Sequence, residues 1–205
     1  HYHVNGQLQS RTTFLAGKRH GDHAEWDAEG VLRVEGRYNA GVAVGTHRKY
    51  DATTVLREEG EYALGEREGL WRSWDEAGNL EWERSYAGGR EHGEWRAYYE
   101  DGTLRSEYRW GSADAATPMR FWHANGNLSA EGDAIRGERV GTWRYYHESG
   151  ALQSEGPYED SLREGLWREF HEDGSVAAEG LYERGKKVGL WDRWLPGQNA
   201  PIVPE

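Results

Sequence analysis

Seven glutamates recur at one spacing: Glu35, Glu59, Glu83, Glu107, Glu131, Glu155 and Glu179, each 24 residues beyond the last. Carboxylates in series could hold a metal ion or share a proton in acid–base chemistry. A row of arginines keeps the same interval: Arg48, Arg72, Arg96, Arg120, Arg144 and Arg168. Guanidinium groups in file could grip the carboxylates or phosphates of a partner. His123, His147 and His171 form a third row with metal-ligand chemistry. What any row can do depends on how far apart the chain holds its members.

The same interval governs the aromatic and small residues. Trp71, Trp95, Trp143, Trp167 and Trp191 share one phase, with His23, His47 and Met119 in its remaining places. Three residues later an aromatic stands every time: Trp26, Tyr50, Trp74, Tyr98, Trp122, Tyr146, Phe170 and Trp194. Leucine and glycine recur with them, so the unit reads G-x-W-R-x-[YW]-x-x-x-G-x-L-x-x-E-G-x-Y-x-x-G-x-x-x. Full units start at residues 21, 45, 69, 93, 117, 141 and 165, with partial units at both ends. The repeat array spans 1–195, and an irregular tail follows at 196–205.

Each unit holds two short aromatic and branched segments bounded by glycine, which predicts a pair of strands. Glycine recurs too often for a helix to propagate. One strand is typified by Leu70–Trp74 and the other runs from about Asn79 to Tyr86. Asp75-Glu76-Ala77-Gly78 predicts the turn between them. A longer link, Ala87 to His92, leads to the next hairpin. Alternation puts Leu80, Trp82 and Tyr86 on one face and Glu83 on the other. It puts Trp71 and Trp74 on opposite faces unless a bulge intervenes. The expected fold is all-β: an elongated single-layer antiparallel meander of 24-residue hairpins.

Two strands per unit at ~4.8 Å each set neighbouring units roughly 10 Å apart. That is too far for successive glutamates, or successive histidines, to share one ion. The glutamates are therefore expected to accept hydrogen bonds from turn amides, an arginine or a Trp Nε1. The histidines read as a solvated edge row. For the arginines two readings stand: stacking on aromatics or bonding turn carbonyls, and gripping a partner. No recognised nucleophile motif or phosphate-cradling loop occurs, so no cofactor, metal or catalytic activity is expected.

The net charge of −11 is uneven: residues 1–60 are balanced, and 61–205 carry 17 basic and 28 acidic side chains. An acidic surface disfavours nucleic acid and anionic lipid and suits a basic protein partner. There is no cysteine, hence no disulfide framework. No apolar run is long enough for a membrane helix. A start at His1 reads as removal of something upstream, leaving the cytoplasm or, after loss of a leader, the cell envelope or periplasm as compartments.

Stacked units of this pattern, with Tyr182-Glu183-Arg184-Gly185-Lys186-Lys187-Val188-Gly189-Leu190-Trp191 as a clear copy, resemble the MORN repeat. The closer resemblance is to the MORN-variant repeats of bacterial YwqK-type proteins, and His20-Gly21 and His92-Gly93 fit it. The resemblance implies an extended β-sheet used for protein–protein interaction, and an antitoxin or immunity role in which a partner is bound and neutralised. The alternative is a cell-envelope scaffold that associates with lipid or self-assembles.

The anchors of the array are expected to be Trp71, Trp74, Trp95, Tyr98, Trp143, Tyr146, Trp167, Phe170 and Trp191 with the seven glutamates. Partner contacts are expected along the arginine row and at Trp110, Met119 and Trp122. These last flank an anomaly, Gly111–Pro118, where Ala113 and Thr117 replace glycines and Pro118 cannot donate to a ladder. Ala134 then replaces a tyrosine, so the fifth unit is expected to pack less well. Ser161 is a milder lapse from glycine.

Overall fold

The computed structural model describes residues 1–111 and 115–198. Two compact units divide the chain, His1–Gly102 and Thr103–Glu205. The first contains β1 (Ser10–Leu15), β2 (Lys18–Trp26), β3 (Leu32–Asn39), β4 (Val42–Tyr50), β5 (Leu56–Ala63), β6 (Glu66–Trp74), β7 (Leu80–Ala87) and β8 (Arg90–Tyr98). The second contains β9 (Leu104–Trp110), β10 (Thr117–Trp122), β11 (Leu128–Ile135), β12 (Glu138–Tyr146), β13 (Leu152–Glu159), β14 (Leu162–Arg163), β15 (Gly165–Phe170), β16 (Val176–Glu183) and β17 (Lys186–Arg193). Within each unit, strands pair antiparallel with their sequence neighbours. The fold is all-β, a meander of repeated hairpins with no helix among the described residues.

The hairpin period is visible in the strand starts: Lys18, Val42, Glu66 and Arg90 in the first unit, and Glu138, Leu162 and Lys186 in the second. The link between hairpins is shorter than Ala87 to His92. Ala87 pairs with Arg90, so Gly88 and Gly89 alone make the turn, both with positive φ. That is the two-residue turn whose twist matches the flanking strands. The first strand of each hairpin is correspondingly longer than Leu70–Trp74. It begins at Glu66 and passes through Gly69, whose φ of 66° lets the backbone bulge without ending the strand. Around it the β5–β6 register moves from Glu59↔Arg72 to Glu61↔Glu68.

A second bulge corrects the predicted faces. Ser73 pairs with Trp82 but Trp74 pairs with Leu80, so Glu81 is the extra residue. Leu80 therefore shares a face with Trp74, Arg72 and Glu83, while Trp82 and Tyr86 share the opposite face with Trp71. Trp71 and Trp74 do lie on opposite faces.

The core is one of these faces. In the second unit it holds Ala130, Trp143, Tyr158, Trp167 and Tyr182, flanked by Met119, Phe121, Tyr145 and Trp191. Trp143 and Trp167 are 0% exposed, and Trp71 in the first unit is 2% exposed. The rings alternate down the sheet, edge to face. Tyr158–Trp167, Trp167–Tyr182 and Tyr182–Trp191 centroids lie 5.4, 5.8 and 5.3 Å apart. Each such pair adds about 0.5–1.5 kcal/mol beyond its buried area.

Trp71, Trp143, Trp167 and Trp191 each lie flat on a glycine of the preceding strand, whereas Trp95 stands opposite Arg84. A Cβ on Gly156 would come within 2.5 Å of the Trp167 ring, and one on Gly60 within 2.1 Å of Trp71. The indole Nε1 then donates to the carbonyl after that glycine: Trp71 to Glu61 at 3.1 Å, Trp143 to Asp133 at 3.0 Å and Trp167 to Pro157 at 3.1 Å. This is why the unit reads Glu-Gly-x-Tyr: the glycine is the floor on which the next ring sits.

Candidate interaction surface

The other face carries the polar rows. Arg72 stands opposite Glu83 in the register, and its Nε donates to Glu83 Oε1 at 2.9 Å. Arg48 donates to Glu59 at 2.5 Å, Arg144 to Glu155 at 3.2 Å and Arg168 to Glu179 at 2.5 Å. Arg48 also reaches Glu35 at 3.2 Å, and Arg120 lies 3.5 Å from Glu107 and 3.8 Å from Glu131. Arg96, opposite Glu83 in the register, also pairs with Glu94 at 2.8 Å. The sequence-predicted arginines and glutamates are thus brought together as partners of one another. The indole donors of Trp71, Trp143 and Trp167 go to backbone carbonyls on the other face.

The outer tyrosines complete each junction. Tyr50, Tyr98 and Tyr146 donate their hydroxyls to Glu35, Glu83 and Glu131 at 2.8, 2.9 and 2.8 Å. Burial, reinforced by the bond to Glu83, pushes the Tyr98 phenol up to about 12. Tyr146 is pushed up to about 12 by burial and Glu131. Burial alone would raise Glu83, but the bonds from Arg72 and Tyr98 outweigh it and hold the carboxyl below its ordinary value. Carboxylates that accept from an arginine or a tyrosine in this way order side chains rather than move protons. The arginines remain half-exposed: 41% for the Arg48 side chain, 51% for Arg120 and 50% for Arg144.

The aromatic face bears a second basic series that the sequence reading missed. Arg67 Cζ lies 4.0 Å from the Trp71 ring centre, Arg139 4.6 Å from Trp143 and Arg163 4.2 Å from Trp167. Lys187 Nζ lies 3.7 Å over Trp191, and Arg19 Cζ lies 4.0 Å over Tyr38. Each cation stands four residues before its Trp or His position. That regular offset was the available signal, weakened by Ala43, Glu91 and Ala115 in the same phase.

The histidine row is not a solvated edge. His123, His147 and His171 bond through Nε2 to the backbone oxygens of Tyr146, Phe170 and Trp194, one unit further on, at 2.9, 3.4 and 3.0 Å. Among the described residues no group of three or more His, Asp or Glu side chains is placed to hold a metal ion.

The remaining candidates do not converge. Trp110 ends β9 with its ring against Tyr108 at 5.6 Å. Met119 borders the aromatic core, and Trp122 pairs with Leu128. Phe121 lies 6.2 Å from Trp143, as Tyr145 does from Trp167 one unit on. Ala134, in its tyrosine place, is 2% exposed opposite Thr117. Of the Gly111–Pro118 anomaly, residues 112–114 lie outside the described residues, as does the tail from 199 onward.

Two clefts open in the first unit, each beside an alanine in a cation phase. One, about 470 Å³, borders Ala24, Glu35 and Arg48 on the polar rows. The other, about 240 Å³, is lined by Tyr38, Ala43, His47, Tyr62 and Trp71, with Lys49 and Glu58 beside them. His47 occupies a tryptophan place and copies its contacts. It lies on Gly36, where a Cβ would come within 2.2 Å, and its Nε2 stands 3.0 Å from Arg37 O. Burial lowers the His47 pKa, with the bond to Arg37 opposing.

Three segments, 91–110, 139–160 and 163–184, match the model of the MORN repeat variant. The chain is a β-hairpin repeat protein, and these three segments are similar to that variant, as the resemblance implied. No curated protein matches it. Among solved structures it is similar to TarM at 12% identity and a TM-score of 0.33, over 47% of this chain and 19% of that one. A TcdB2-TccC3-Cdc42 structure aligns at 13% identity and a TM-score of 0.25, over 94% of this chain and 13% of that one. A protein with unknown function from Bacteroides fragilis aligns at 10% identity and a TM-score of 0.13, over 88% and 96%. The chain spans about a fifth or less of the length of the first two, and likenesses this weak carry no argument about function.

Proposed function

We propose that this chain is a non-enzymatic repeat scaffold that binds a protein partner of basic character. The observation that carries the reading is the polar face. Its arginines and glutamates are fixed in register by one another and by tyrosine hydroxyls, yet the arginines keep about half their surface open to solvent. Ordered, half-exposed arginines and aromatics are what contact surfaces are rich in. The net charge of −11 supports a basic partner. The finer reading, resting on the resemblance, is that the partner is a toxin which the chain neutralises.

The test is a pull-down from the native host with the wild-type chain and with Arg72, Arg120 and Arg144 replaced together by Ala. A stoichiometric basic protein should come down with the wild type and at least tenfold less with the variant. Recovery of lipid or of the chain itself, without a second protein, would end the reading. If the partner expressed alone leaves growth unaffected, the antitoxin role fails and the scaffold stands.

A further inference from the structure

We infer that the cleft at Ala43 is a receptor slot for an arginine side chain presented by the partner. The chain itself supplies the template. At Arg67, Arg139 and Arg163 a guanidinium lies over a tryptophan and beside the tyrosine of the following strand, with centres 5.4, 5.6 and 5.3 Å from Tyr86, Tyr158 and Tyr182. Lys187 repeats the arrangement over Trp191 with an ammonium. Beside Trp95, where Glu91 holds the cation place, Arg84 provides the charge at 5.5 Å and bonds Glu91 at 2.9 Å. Arg19 covers Tyr38 beside His23.

At His47 the rings are in place and the cation is missing. His47 packs edge to face against Tyr38 at 5.5 Å and against Tyr62 at 4.8 Å. The residue four before it is Ala43, and the cleft of about 240 Å³ lies there. Lys49 does not fill it in kind, since its ammonium is held by Glu58 Oε2 at 2.7 Å. The other Glu58 oxygen is engaged by Arg67. The slot therefore offers ring faces, a tyrosine hydroxyl and a nearby shared carboxylate, the surroundings that the chain gives to its own guanidinium groups. His47, held neutral by its burial, does not repel an incoming cation.

This inference rests on the scaffold reading for the source of the arginine, and its test separates the two. The probe is the capped tripeptide Gly-Arg-Gly, with citrulline in place of arginine as the neutral control, followed by NMR of the His47 and Tyr62 rings in the full chain. Saturable shifts with a dissociation constant on the order of 10 mM are expected for a single cation on aromatic faces. The citrulline peptide should bind at least tenfold more weakly. A43R should abolish the response by filling the slot from within. A43L, which blocks it without charge, serves if A43R does not fold. Shifts that never saturate, that match for citrulline, or that persist in both variants overturn the slot. In a parallel pull-down, undiminished recovery of the partner by A43R removes the slot from the interface and leaves the scaffold. Peptide binding with no partner recovered does the reverse.

Discussion

The same place in the repeat is built twice, differently. In the second unit Trp167, 0% exposed, lies on Gly156 between Tyr158 and Tyr182. In the first unit His47, partly exposed, lies on Gly36 between Tyr38 and Tyr62. The backbone register is shared: His47 pairs with Gly60 as Trp167 pairs with Gly180. The hairpin turns use two devices. In the first unit Asp51 and Asp75 accept amides of their own turn, Val55 at 3.0 Å and Asn79 at 2.9 Å. In the second, His147 and His171 reach across to the next hairpin. Turn histidines also occur in the first unit, where His3 bonds Trp26 O at 2.8 Å, so the difference between the two places lies in the ring: Trp167 fills its place and His47 leaves open space. A meander fixes where a ring must lie, but the ring's size decides whether the place is a keystone or a cleft.

Truncation should break the comparison most sharply. Trp167→Ala should cost about 3–5 kcal/mol in a denaturant titration, as for any fully buried large aromatic. His47→Ala should cost well under half of that. Equal losses would mean that ring burial does not distinguish the two places. The floor glycines come next. Gly156→Ala should cost about 1–3 kcal/mol because its Cβ would meet the rigid Trp167 ring, and Gly36→Ala less because His47 has space to move.

A pH series sharpens the contrast further. The folded pKa of His47 is lowered by burial, so the unfolded chain takes up the proton first. Its contribution is intact above the unfolded value of about 6.5 and is lost as pH falls from there toward the folded value. Native-state hydrogen exchange should therefore show β3–β5 losing protection below that pH, and His47→Trp should remove this loss. His23, Tyr38, Tyr62, Lys49 and Glu58 also lie near His47, and His23→Phe separates the share of the neighbouring histidine. The smallest effect concerns the turns. Asp160 and Ser161 both have positive φ without being glycine. Ser161→Gly should stabilise by about 0.5 kcal/mol, the relief of left-handed strain offset by losing the Ser161 Oγ bond from the Arg139 amide. A thermal melt would register it as a rise of a few degrees at most.

Much of this was legible from spacing alone. Leu, Glu and aromatic phases gave the hairpin, the Asp75–Gly78 turn and the opposition of Trp71 and Trp74. The short link at Gly88-Gly89 and the true length of β6 were not legible, because glycine signals a bulge and a turn alike. The face of Leu80 was misread because one extra residue, Glu81, reverses alternation, and no composition marks which residue bulges. The pairing of Arg72 with Glu83 was half legible, since both rows were seen but not their register. The Arg67 series was missed, although its phase was regular wherever Ala43, Glu91 and Ala115 did not break it.

Sequence alone determined the period, the strand chemistry and which residues recur, because alternation and turn propensity act over a few neighbours along the chain. Only the tertiary structure decided that a glycine is the floor for a ring eleven residues later, that arginine and glutamate rows neutralise each other, and that an alanine leaves a slot. Those facts depend on cross-strand register, and register is set by bulges and packing that no single segment carries.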